Sequence, residues 1–138
     1  PGGPVIINDA YNANPDSMLA ALEAFDAMSK GQKRAVVLGD MLELGEWGPK
    51  AHRDIGEIVA AIGFNYLLAV GSFSQYIAQG ALDGGMPESR IFTAENNTTA
   101  VAQLKRFAYD CDIILFKASR GVRLEEVFKK FVSEISFS

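Results

Sequence analysis

An α/β fold is predicted, with three Rossmann-like layers: an open, mostly parallel sheet covered by helices on both faces. Two observations carry it. Short apolar or β-branched runs recur along the 138 residues, and each is followed by a longer segment whose apolar residues keep helical spacing. Such alternation argues for parallel strands joined by right-handed helical crossovers. No internal repeat or low-complexity tract interrupts the pattern, so residues 1–138 are expected to form one domain.

The first strand is the run Val5 to Ile7. Pro15 then opens a helix striped by Met18, Leu22 and Phe25, with Asn14 suited to the N-cap, Pro15 to the first helical position and Asp16 to the first turn. Ala35 to Leu38 is the second strand, and the helix after it starts near Pro49 with Ile55, Ile58, Val59 and Ile62 as its stripe. Tyr66 to Val70 is followed by a helix marked by Phe73, Tyr76 and Ile77. Arg90 to Thr93 is followed by one marked by Val101, Leu104 and Ala108. Asp112 to Phe116 is the fifth strand. Leu124, Val127, Phe128, Phe131, Val132 and Ile135 then give a last stripe wide enough to pack on a sheet.

Composition narrows the function classes. The chain is 49% hydrophobic and 22% charged, with a net charge of −4, which gives no electrostatic reason to expect a nucleic acid as partner. No apolar run is long enough to span a membrane. A single cysteine, Cys111, allows no internal disulfide and fits a reducing, cytoplasmic setting. The opening Pro1-Gly2-Gly3-Pro4 lacks the charged and apolar regions of a signal peptide and reads as a linker, or as a point inside a longer protein.

Ligands of open α/β sheets bind beyond the carboxyl ends of the strands, so the polar residues there are the candidates. After the first strand stand Asp9, Tyr11 and Asn12. A carboxylate can accept two ribose hydroxyls, a tyrosine can stack on a base, and an amide can donate and accept at once. The loop Gly39-Asp40-Met41-Leu42-Glu43-Leu44-Gly45-Glu46-Trp47-Gly48-Pro49 has two readings. In one, Leu42, Leu44 and Trp47 cover the sheet edge. In the other, Asp40, set by the rigid strand, meets a ligand. After the fifth strand, Lys117, Ser119 and Arg120 precede a helix N-terminus, where cations run against the helix dipole unless an anion compensates them. The competing reading has Ser119 as a helix cap and the basic residues solvated. His52, the only histidine, falls on the apolar side of its helix beside Ile55 and Val59 and is expected to be structural. No residues stand at metal-ligand spacing, no phosphate-cradling or dinucleotide glycine motif occurs, and no nucleophile is paired with a base. The chain is built to bind a ligand, with no catalytic group of its own.

Asp9-Ala10-Tyr11-Asn12-Ala13-Asn14-Pro15, Leu38-Gly39-Asp40-Met41 with Glu43-Leu44-Gly45-Glu46, and Lys117 with Ser119-Arg120 together resemble the C-terminal domain of the Mur ligases over essentially the whole chain. Ala118 departs from the glycine of the family's Lys-Gly-Ser-Arg loop. The resemblance implies a closing third domain of an ATP-dependent ligase in peptidoglycan precursor synthesis. In that reaction D-alanyl-D-alanine is added to a UDP-N-acetylmuramoyl-tripeptide through an acyl phosphate. It implies ATP and Mg2+ as cofactors, bound mainly by a central domain, and no activity of this domain alone. Asp9 would bind the ribose, and Tyr11 and Asn12 the adenine or the phosphate side of the nucleotide. Lys117, Ser119 and Arg120 would hold the dipeptide, and Asp40 would orient the amine or close the loop. Two alternatives are a receiver-like signalling module, with Asp9, Asp40 and Lys117 as its pocket, and a stand-alone small-molecule-binding domain.

Overall fold

The computed structural model describes residues 3–9, 14–118 and 124–135. Five strands, β1 (Val5–Asn8), β2 (Arg34–Gly39), β3 (Tyr66–Val70), β4 (Ile91–Ala94) and β5 (Ile113–Lys117), alternate with helices α1 (Pro15–Met28), α2 (Gly48–Ile62), α3 (Ser74–Asp83), α4 (Asn97–Lys105) and α5 (Leu124–Ile135). All pairings are parallel, and the strand order is β1-β5-β2-β3-β4. The α/β expectation is met.

The strands sort their residues by parity between two cores. Val36, Leu38, Leu67, Ala69, Ile113 and Leu115 pack on one face with Met18, Leu22 and Phe25 of α1, Ile55 and Val59 of α2, and Ile77 and Ala81 of α3. Ala35, Val37, Leu68, Val70, Ile114 and Phe116 pack on the other with Val101 and Leu104 of α4 and Val127 and Phe131 of α5. The loops after β1, β2 and β3 therefore lead to one face, whereas those after β4 and β5 lead to the other. Because β5 lies between β1 and β2, chains diverge to opposite faces on both of its sides. That divergence opens the crevice in which such sheets bind ligands.

Local chemistry sets the element ends. Asn14 caps α1: its Oδ1 accepts the Ser17 N–H at 2.9 Å, and Ser17 Oγ accepts the Asn14 N–H at 2.9 Å. Gly63, at φ +91°, ends α2 in the left-handed conformation that favours glycine. Helices α2 and α3 meet through glycines. A Cβ on Gly56 would lie 2.0 Å from the Ile77 carbonyl oxygen, and one on Gly80 would lie 2.0 Å from that of Arg53.

Several boundaries differ from the sequence expectation. β2 begins one residue early because Arg34 is neutralised: its guanidinium lies 2.6 Å from Asp26 Oδ1 and 3.1 Å from Ser29 Oγ. Arg90 stays outside β4, held in a 3-10 turn by its N–H to the Pro87 carbonyl. Phe73 precedes α3, and Ala108 lies in a 3-10 turn after α4 although it remains buried. Trp47 and Leu42 do not cover the sheet edge. They are 67% and 42% exposed, and only Leu44 of the three packs against the core.

Candidate functional site

The register builds the site. Asn8 lies opposite Phe116, and Leu38 lies opposite Lys117, so the carboxyl ends of β1, β5 and β2 stand side by side. The Asp9 N–H donates to the Phe116 carbonyl at 2.8 Å, which extends the ladder one residue and sets the Asp9 side chain beside Lys117. Lys117 Nζ donates to Asp9 Oδ2 at 3.1 Å. The lysine side chain is 5% exposed and the aspartate 47%. A buried ammonium is costly without a counter-charge, so Lys117 fixes the carboxylate, and Asp9 carries it to the solvent-facing side of the crevice.

Asp40 is used differently. It is buried, its Oδ2 accepts the Ser72 N–H and its Oδ1 the Phe73 N–H, both at 3.0 Å. Both oxygens therefore bind the turn that follows β3. Gly71 makes the approach possible: it sits at φ +118°, and a Cβ there would come within 2.6 Å of either carboxylate oxygen. His52 locks the same unit from below. Its Nε2 accepts the Met41 N–H at 2.9 Å, its Nδ1 lies 2.6 Å from the Gly48 carbonyl oxygen, and its ring stacks on Phe73 at 4.4 Å. Nε2 as acceptor fixes the neutral tautomer with the proton on Nδ1. Burial pushes the His52 pKa below its ordinary value, against smaller opposing effects of the Gly48 hydrogen bond and the Asp40 charge. The structural role expected for His52 is what the structure shows.

Of the sequence candidates, the structure brings Asp9 and Lys117 together and places Asp40 just after the neighbouring strand β2, turned towards the turn that follows β3. Tyr11, Asn12, Ser119 and Arg120 lie outside the described residues. Sequence reasoning missed Gly71, Ser72 and Phe73. The available signal was a glycine directly after a buried strand. Beside Asp9, a shallow cleft of about 120 Å³ is lined by Ile7, Ala21, Ala24, Phe25, Met28 and Leu115. It is well below the roughly 300–1,000 Å³ of a typical small-molecule pocket, too small to enclose a whole ligand of that class. A larger cavity of about 280 Å³, between α3 and β4, lies at the far edge of the sheet from Asp9. Among the described residues, no group of three or more His, Cys, Asp or Glu side chains is placed to hold a metal ion, and no helix is long and apolar enough to cross a membrane.

Fold and site define a parallel α/β domain with a charged pair at the carboxyl ends of its strands, and its class follows from comparison with known proteins. The family model described as Mur ligase, glutamate ligase domain, matches residues 1–120, and the chain belongs to this family. It is 37% identical over 127 residues, 92% of its length, to the UDP-N-acetylmuramoyl-tripeptide--D-alanyl-D-alanine ligase of Bacillus subtilis, and 37% identical over 132 residues to that of Synechocystis. Among solved structures, MurF from Acinetobacter baumannii superposes with a TM-score of 0.79 at 26% identity, covering 91% of this chain and 27% of that one. MurF from Thermotoga maritima, in complex with ADP, superposes with a TM-score of 0.74 at 26% identity, covering 95% and 28%. The chain spans 28% of the length of each of the two curated relatives. The receiver-like alternative is not favoured: that fold keeps its first strand inside the sheet, whereas β1 here is an edge strand beside β5.

Proposed function

We propose that this chain is the C-terminal domain of an ATP-dependent ligase that adds D-alanyl-D-alanine to a UDP-N-acetylmuramoyl-tripeptide in a cytoplasmic step of peptidoglycan precursor synthesis. The observation that carries the reading is the 37% identity to the Bacillus subtilis ligase over 92% of the chain. The Asp9–Lys117 pair at the crevice supports it. In this reading ATP phosphorylates the tripeptide's terminal carboxylate, and the dipeptide amine attacks the acyl phosphate, expelling phosphate and forming the amide. Water competes for an acyl phosphate, so a domain that closes over the site protects the intermediate and positions the amine.

Within this domain Asp9 accepts the ribose hydroxyls, with Lys117 holding its carboxylate in place. Tyr11 and Asn12 contact the adenine or the phosphate side of the nucleotide. Lys117, Ser119 and Arg120 hold the dipeptide, whose carboxylate suits a bidentate guanidinium. For Asp40, the two roles read from the resemblance were orienting the amine and closing the loop. Both of its oxygens accept backbone N–H groups, so we assign it the second. The described residues offer no cluster for a metal ion, and we assign Mg2+ to the remaining domains, where it would offset charge on the transferring phosphoryl group.

The test is dipeptide-dependent phosphate release by the complete protein supplied with ATP, Mg2+, UDP-N-acetylmuramoyl-tripeptide and D-alanyl-D-alanine. Release and a new amide product are expected. Arg120→Ala should raise the apparent KM for the dipeptide, and an unchanged value would remove the anion site from this loop.

A further inference from the structure

The β2–α2 loop presents side chains that the Asp9–Lys117 site does not use. Trp47, the single tryptophan of the chain, is 67% exposed, and Leu42 on the same loop is 42% exposed. The loop is nevertheless tied down. Asp40 is clamped at its start by the Ser72 and Phe73 N–H groups. One imidazole, that of His52, receives the Met41 N–H and bonds the Gly48 carbonyl, so it joins both ends of the loop. Leu44 anchors the middle against the core. Between these ties Glu43 takes φ +63°, a conformation that residues other than glycine adopt when their surroundings impose it. The loop is thus held in one shape while its aromatic side chain is left in water. An exposed tryptophan on a tied backbone is the kind of anchor that dominates protein interfaces, since little backbone entropy remains to be lost on docking.

Charge and position identify the occupant. Glu43 and Glu46 are both exposed and flank the apolar side chains, which matches a partner surface with an apolar pocket and a basic rim. The loop leaves β2, the strand next to β5, on the same edge of the sheet as Asp9 and Lys117. The chain spans only 28% of the Bacillus subtilis relative, so most of such a polypeptide lies outside it. We infer that the loop Leu42–Trp47 is the surface on which the remaining domains of the same ligase polypeptide dock when the site closes, with Trp47 entering an apolar pocket rimmed by lysine or arginine. This inference rests on the proposed ligase reading.

The experiment uses the full-length protein. Trp47→Ala and Glu46→Lys are compared with Tyr109→Ala, a control on an exposed aromatic just before the amino end of β5. Expected is a loss of roughly tenfold or more in kcat/KM for both ATP and the dipeptide in Trp47→Ala, the effect of truncating an interface anchor. Glu46→Lys should give a smaller loss that shrinks at high salt, and Tyr109→Ala none. Thermal unfolding should be unchanged in Trp47→Ala and Glu46→Lys, whereas Tyr109→Ala, which loses a ring contact with Phe131, can lower it without touching the kinetics. Small-angle scattering should show the wild type contracting when nucleotide and tripeptide are added, and Trp47→Ala failing to contract. Wild-type kinetics and contraction in Trp47→Ala would overturn the inference, as would a wild-type dimer that Trp47→Ala converts to monomer. If the wild type makes no dipeptide-dependent product yet contracts through Trp47, the ligase reading fails and the docking surface stands.

Discussion

Asp9 and Asp40 follow neighbouring parts of the same sheet edge, one after β1 and one after β2, yet they do opposite things. Asp9 has a lysine behind it and keeps half of its side chain exposed. Asp40 is buried, with each oxygen taken by a backbone N–H of another loop. The difference comes from what the fold places beside each. β5 inserts next to β1 and ends in Lys117, whose cation cannot satisfy a whole carboxylate and leaves lone pairs for a ligand. Beyond β2 stands β3, whose following turn supplies donors that saturate the acid. A carboxylate at a strand end is available to a ligand only when its neighbours leave it so.

The largest effect expected from this contrast is on stability. Asp40→Ala would leave the Ser72 and Phe73 N–H groups without their acceptor, at a cost of about 2–4 kcal/mol, measurable by urea unfolding. Gly71→Ala should break the same clamp from the other side, because its Cβ would meet both carboxylate oxygens at 2.6 Å. If either variant unfolded like the wild type, Asp40 would be no more committed than Asp9.

Next comes Lys117→Met in the complete protein, assayed for the proposed ligation. An apolar side chain of similar length suits the buried position, so stability should change by less than about 1.5 kcal/mol. With its counter-charge gone, Asp9 loses its fixed position, and the apparent KM for ATP should rise roughly tenfold, the worth of one charge-assisted hydrogen bond. A large loss of stability with unchanged kinetics would make the pair purely structural.

A smaller effect concerns pH. The unfolded His52 imidazole titrates near 6.5, whereas burial holds the folded ring's pKa below that value. As pH falls below about 6.5, the unfolded state takes up a proton that the folded state resists, and stability decreases towards the lowered folded pKa. Protonation also removes the acceptor for the Met41 N–H. Melting temperatures followed from about pH 8 to pH 5 should therefore decline in the wild type and decline less steeply in His52→Gln. Equal slopes would remove His52 from the frame.

The alternation of strands and helices was legible because each element carries its own period, and the Asn14 cap was legible because capping is local. Two arginines show where local reading stops. Arg34 and Arg90 stand at similar strand starts. Arg34 joins its strand because Asp26 and Ser29 receive its guanidinium, while Arg90 stays in a turn closed by the Pro87 carbonyl. Strand order was not legible, since a helical crossover does not state how many strands it passes. Without the order, nothing in the sequence says that Lys117 meets Asp9 or that Gly71 exists to admit Asp40. His52 could be read as structural from its helical stripe, but the groups it joins, Met41 and Gly48, are fixed only by the folded loop.

The most direct test of the contrast is the apparent KM for ATP of Asp9→Asn in the complete protein, assayed for the proposed ligation and measured beside its thermal unfolding. The account predicts a rise of roughly tenfold with unfolding close to wild type, because Asp9 keeps half of its carboxylate exposed and the proposed function assigns it to the nucleotide. An unchanged KM would contradict it, and would leave Asp9, like Asp40, an acid that serves only the fold.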